Sequence, residues 1–520
     1  MKLYKANLQT KGPGKPTINR SSGIFPFINT KLIETNILFF GYWFIKRNIK
    51  NINLIIKIRS LKGKLLYEKF EIINEVRSYN VSVKDILKAK KLTLISSGSV
   101  ELEILSNENL YFPFPALVIN YHSVNSSSVV HTCGRIYNDK YDKISNNMQL
   151  VPESGFDIIP NKKFLPFIGF VNGKKKLKNE HLRCRFINEF GESFTKNIHL
   201  KKLNPYETKI INLLNLKEKK FFQDKKGIVK INHNFKSFYP RFIAGNSNNT
   251  KSIFTLTHTF YDTDKEKNTK KHFIKNIDKK KNYDSILSLP LLLKSKSYTE
   301  IAIYPNFPKT KLNFGLEVFD SKGNLQNKIK SIAIIQKKLD YPVYLNLTDI
   351  IKSKNLRINK NKKYLAKIII SNNGLIPSRL KFGLNFGSPD KIDIPTNICF
   401  GATNVNPNIL NKPKTFKWTP LLNKKKSYFI ITNCSFVKNG YKSAKIKLNF
   451  WNESVSKPIS KKVTISDNGI YWFDLQKDKK IKKFLSSKTG WVTVESDNPF
   501  INGFYFEDMK KGVLTGDHIF

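Results

Sequence analysis

The chain of 520 residues is short of acid, of cysteine and of long apolar runs. Asp and Glu number 39 against 91 Lys and Arg, which leaves a formal net charge of +52. Such a balance would attract phosphates, anionic polysaccharide or an anionic membrane surface, and the attraction would weaken with salt. The four cysteines, Cys133, Cys184, Cys399 and Cys434, are scattered, with no CxxC and no close pair. That argues against a disulfide framework or a thiolate zinc site and favours a reducing compartment. Behind the basic amino end there is no apolar core or small-residue cleavage site, so no secretory signal is expected. The longest apolar run nearby, Ile37 to Ile45, is about half of the ~20 residues that cross a bilayer. The expectation is a cytoplasmic protein with no transmembrane segment.

Catalytic signatures are missing too. There is no GxSxG nucleophile turn, no GxxxxGK[ST] phosphate loop, no HExxH, and no GxGxxG behind a strand. Gly12-Pro13-Gly14-Lys15 lacks both the spacing and the Ser or Thr of a phosphate loop. No cofactor and no metal are expected.

What is present is β-formers: 39 Phe, 21 Tyr and many Ile, within an apolar fraction of 40%. Residues of this kind favour strands over helices. They fall into a pattern that repeats. An alternating strand runs into a turn: Leu54, Ile56 and Ile58 before Gly63; Leu182, Cys184 and Phe186 before Gly191; Phe314, Leu316 and Val318 before Gly323. A fourth version, Ile446, Leu448 and Phe450 before Trp451 to Ser454, has lost the glycine. The turn glycines stand 128 and 132 residues apart, and glycine there admits the positive φ of a tight hairpin.

Each turn is followed by a strand that runs into helical turns: Tyr79 to Leu87, Glu207 to Leu214, Val343 to Ile351 and Ile470 to Leu485. A second alternating strand comes next, at Val100, Val229, Leu365 and Val492, and then a turn with proline. A closing strand ends in histidine at His131, His258 and His518. In the third copy the spacing places its equivalent near Phe386-Gly387-Ser388, where there is no histidine.

Short half-buried strands with one helical turn per repeat point to antiparallel sandwiches. The expected fold is all-β, four tandem immunoglobulin-like β-sandwich domains, each with a short helical turn. The boundaries read as an extended leader over 1–30 and sandwiches over 31–139, 161–264, 284–390 and 413–520. Linkers fall at 140–160, 265–283 (lysine-rich) and 391–412.

The recurring histidines are the sharpest local feature. His131, His258 and His518, the last beside Asp517, are candidate binding residues for an anionic ligand, metal ligation being the weaker option because one histidine per domain leaves its other ligands unidentified. The leading expectation is that they serve the fold by hydrogen bonding, because a position repeated in tandem folds usually does. Copy one adds Tyr121, Arg135 and Tyr137, aromatic and basic side chains suited to sugar rings or stacked bases. Glu153 and Asp157 are acidic against a basic background, and acid–base work would need two carboxylates facing one cleft. Four of the five tryptophans lie in copy four, and Trp451, in a turn, is the one expected to be exposed.

The leading expectation is a non-enzymatic binding or scaffold protein whose partner is carbohydrate, an anionic polymer or another protein. The alternatives are an enzyme or accessory subunit with its site near His131, and a nucleic-acid-binding protein using the basic surface.

Overall fold

A computed structural model describes residues 17–520 apart from 112–115, 132–133, 135–152, 160–162, 234, 236–240, 262–272, 276–283, 294–296, 306–310, 337–338, 373–374, 378–379, 389–393, 403–413, 423–425, 438–439, 487 and 510–512. The protein is all-β: four antiparallel sandwiches in tandem, with one connectivity throughout. With strands counted one to eight within a unit, one sheet runs 1-6-3-4 and the facing sheet 5-2-7-8. In unit one the strands are Arg20–Ile28, Glu34–Phe40, Ile52–Ser60, Leu65–Ile73, Ser78–Ser82, Ser97–Leu105, Leu117–His122 and Ser127–Val130. In unit two the first sheet gains a further strand, Phe260–Tyr261, beside strand one. An immunoglobulin-like order is not confirmed: strand one lies beside strand six here, whereas immunoglobulin constant domains put strands A, B, E and D in one sheet.

The alternating residues do what their period dictates. Leu54, Ile56 and Ile58 are buried between the two sheets of unit one, as are Leu182, Cys184 and Phe186 in unit two. Phe314, Leu316 and Val318, and Ile446, Leu448 and Phe450, fill the same place in units three and four. One short helix follows strand five in every unit: Val83–Ala89, Leu216–Lys219, Leu347–Ser353 and Lys479–Leu485. Each is started by a side chain that accepts from a first-turn N–H, namely Ser82, Asn215, Asn346 and Asp478. The second of them begins just beyond the expected stretch.

The leader and linkers are corrected. Within the expected leader, Arg20–Ile28 is strand one of the first sandwich and pairs with Ser97–Leu105 along its length. Its Pro26 sits on an edge strand, where a missing N–H breaks no ladder. Pro290 and Pro420 occupy strand one of units three and four in the same way. The expected linkers also carry strands: Glu153–Ile158 is strand one of unit two, Thr396–Gly401 is strand eight of unit three, and Phe273–Lys275 pairs with Leu375–Pro377. Among the described residues no helix is long and apolar enough to cross a membrane.

The four units close on one another head to tail. The strand three–four turn of unit one reaches unit two, where Leu61 O accepts from Thr208 N at 2.9 Å. The turn of unit two, at Gly191, packs on Tyr341 ahead of strand five of unit three. The turn of unit three offers Ser321 O to Ile470 N at 3.4 Å. The turn of unit four offers Asn452 O to Ser78 N of unit one at 2.9 Å, and Arg77 donates to Glu453 O at 2.8 Å. The same turn therefore meets the same strand, strand five or its approach, four times, and the fourth contact returns to the first unit. On the inside, the four closing strands Ser127–Val130, Phe254–His258, Thr396–Gly401 and Leu514–His518 touch in a cycle.

The uneven tryptophan count belongs to this closure. Trp418 stacks on Tyr42 of unit one, with ring centres 5.1 Å apart, and Trp451 packs on Phe40 at 5.1 Å. Trp451 is buried at the end of strand three, its indole N–H donating to Thr493, so the expectation of an exposed turn residue is corrected.

The turn glycines answer to both conformation and docking. Gly63 has φ +88°, and a Cβ on it would lie 2.1 Å from Pro205 O of the next unit. Gly63→Ala is expected to cost about 2–3 kcal/mol in urea denaturation, from strain plus a lost docking surface. Gly401→Ala, whose nearest obstacle is the flexible ammonium end of Lys381, should cost under about 1 kcal/mol. Equal losses would contradict the docking role.

Candidate functional site

The ring centre gathers residues that stand far apart in sequence. Strand eight of each unit delivers its last residues to the axis, so His131, His258 and His518 meet. The ring of His131 lies edge-on to His258 at 4.8 Å and to His518 at 4.5 Å. In unit three the matching position is Phe400, 5.5 Å from His518. The expected site near Phe386 to Ser388 is corrected: Phe386 belongs to strand seven, and a longer connection delays strand eight to Thr396–Gly401.

Each imidazole has its Nδ1 committed. His258 Nδ1 is 2.7 Å from Thr259 O, and His518 Nδ1 is 2.9 Å from Ile519 O. A carbonyl can only accept, so both nitrogens carry the proton and both Nε2 atoms keep the lone pair. His131 Nδ1 is 2.8 Å from Asp517 Oδ2. Burial pushes the His518 pKa down to about 4 and the His258 pKa well below its ordinary value, with Arg241 adding to the second effect. Both are therefore neutral near pH 7. The expectation that these histidines hydrogen-bond within the fold describes their Nδ1 atoms; it did not anticipate that they would share one site.

The other candidates separate. Tyr121 is buried in unit one, its hydroxyl donating to Pro26 O, so it offers no platform to a ligand. Arg135 and Tyr137 lie outside the described residues, as does the side chain of Glu153. Asp157 is buried where unit two meets unit three. It accepts from the amides of Asn385 and Asn397, each at 3.0 Å, with Tyr304 beside it. Glu300 accepts from the same Asn385 at 3.0 Å and from Lys226 at 2.6 Å. This is a polar seam that makes a junction rather than a pair of carboxylates facing a cleft.

A second surface escaped the sequence reading. Units three and four flank a cleft of about 990 Å³ lined by seven lysines, among them Lys360, Lys362, Lys363 and Lys477, against the three aspartates Asp474, Asp478 and Asp508. Tyr428, Tyr471, Trp472 and Phe473 form its apolar part. Trp472 is already engaged, stacked with Tyr428 at 5.6 Å and carrying the Lys363 ammonium 4.1 Å from its ring centre. The signal in sequence is the density of lysine at 360–363, 424–426 and 477–483, and each run alone looks like any solvated loop.

No family model and no curated protein matches the chain. Among solved structures, one similar chain is described as a tetra-tandem repeat in the extending region of a large adhesion protein, at 8% identity, with 90% of each chain covered and a TM-score of 0.10. Another is a biofilm associated protein, BSP domain, at 9% identity, with 96% of each chain covered and a TM-score of 0.14.

Burial raises the Asp157 pKa from 3.8 to about 7. Between those values the folded chain holds a proton that the unfolded chain has lost, so this group's contribution to stability is fully present below about pH 4 and declines until about pH 7. Asp157→Asn keeps an acceptor oxygen and cannot ionise. It should flatten the fall in melting temperature from pH 4.5 to 7.5 by several degrees in thermal scans; an unchanged slope would show that Asp157 titrates normally.

Proposed function

We propose that the chain is a non-enzymatic scaffold that binds an acidic polysaccharide in the lysine cleft between units three and four. The observation that carries this reading is the cleft's charge, seven lysines against three aspartates on adjacent exposed loops and strand ends. A chain of carboxylates or sulfates laid there would release counterions and gain paired charges. Because Trp472 and Tyr428 are occupied with each other and with Lys363, recognition would come from ammonium groups rather than from stacking on a sugar face. That favours an acidic glycan over a neutral one. The closed ring suits display of such a surface, since its units are held to neighbours on both sides and a preorganised site loses little entropy on binding.

The test is titration with alginate, a polyuronate, at low and raised salt. The triple variant Lys360→Glu, Lys362→Glu, Lys477→Glu changes three exposed side chains that line the cleft. Affinity should fall at least about tenfold in that variant and by a similar factor or more between 50 and 200 mM salt, with neutral dextran unbound. Binding indifferent to the variant or to salt would overturn the reading, and tighter binding to duplex DNA than to alginate would move it to nucleic acid.

A further inference from the structure

We infer that the ring centre is a divalent transition-metal site, with His131, His518 and Asp517 as ligands and His258 beside them as the fourth donor. The donor atoms of His131, Asp517 and His518 lie within 4.8 Å of one another. Between His518 Nε2 and Asp517 Oδ1 the gap is 4.0 Å. Bonds of about 2.0–2.1 Å from zinc to imidazole nitrogen and carboxylate oxygen would set tetrahedral ligands roughly 3.3 Å apart, so the widest separation in the cluster needs to contract by up to about 1.5 Å.

The outer hydrogen bonds are the second line of argument. A metal-bound histidine almost always donates its other N–H to a carboxylate or a backbone carbonyl, which fixes ring and tautomer. His258 and His518 are held in that way, by Thr259 and Ile519, while His131 Nδ1 lies 2.8 Å from Asp517 Oδ2, a spacing that suits two ligands of one ion. With Nδ1 protonated, His258 and His518 are left in the form that ligates through Nε2. Imidazole with carboxylate selects zinc, cobalt or nickel over calcium or magnesium.

Two charges oppose a cation. Arg241 lies 3.3 Å from His258 Nδ1, and Lys417 acts on His518. Arg241 approaches the nitrogen that is not free to ligate, and Asp517 supplies the compensating charge. The ligands come from unit one and unit four, with His258 from unit two, so a bound ion would fasten the first unit to the last across the closed ring. In unit three the matching position is taken by Phe400, so among the described residues the donors at these equivalent positions come from the other three units.

The experiment is equilibrium dialysis of the full chain against Co²⁺, followed by visible absorption and a thermal scan. The expected result is one tightly held Co²⁺ per chain, an intense tetrahedral ligand-field band, and a raised melting temperature. His131→Gln/His518→Gln, which keeps side-chain volume, should lose all three effects while its circular dichroism stays that of β-structure. The cross-strand pair His181 and His199, with rings 6.4 Å apart on the outer sheet of unit two, is the competing donor set. His181→Ala/His199→Ala should therefore keep the band. Failure of the unaltered chain to hold cobalt would overturn the proposal whatever the variants do, as would a band that survives in the first variant and vanishes in the second.

Discussion

The structure depends on one repeated contact: the strand three–four turn of each unit resting on the approach to strand five of the next. Used head to tail, a contact of this kind gives either an open row or a ring, according to the rotation it imposes. Here the rotation closes after four units, and the turn at Asn452 meets Ser78 some 370 residues earlier in the chain. Closure makes every unit depend on two neighbours. It also turns the closing strands inward, so that the last residue of each repeat lands at the axis.

That constraint explains where polar groups are buried. Strand six, flanked on both sides in its sheet, carries Glu101 and Glu103 in unit one, which meet Arg59 and Lys57 at 2.7 and 2.8 Å. The Arg59 guanidinium in turn lies 4.3 Å from the ring centre of Tyr206 in unit two. At the next junction Asp157, Glu300, Asn385 and Asn397 do comparable work with amides in place of guanidinium. Between units four and one, beside the Arg77–Glu453 hydrogen bond, the junction is built on paired aromatics, with Trp418 on Tyr42 and Trp451 on Phe40. Equivalent surfaces thus use different chemistry, which favours correct neighbours over swapped ones.

What could be read from sequence follows from period and turn chemistry. Ile56 or Leu316 between polar neighbours needs no partner to announce a strand with one buried face, and Gly63, Gly191 and Gly323 announce their positive φ. Strand one is hard to read from sequence because Pro26 and the polar residues around it look like a loop, although an edge strand tolerates proline. The third copy's axial residue, Phe400, escapes a fixed offset because that offset assumes equal loops. Nothing in one-dimensional order shows that His131 and His518 touch: three histidines at the ends of three repeats become a cluster only when the ring closes. The lysine cleft is of the same kind, since Lys360 and Lys477 face one space only because units three and four are neighbours.

Ring closure is most directly tested by the distance between nitroxide labels at positions 75 and 455, exposed residues beside the Arg77–Glu453 contact. Double electron–electron resonance should give one narrow, short-range distance. An open row of four sandwiches, each about 35 Å across, would set the labels on the order of 100 Å apart with a broad spread, and that result would contradict the closed ring.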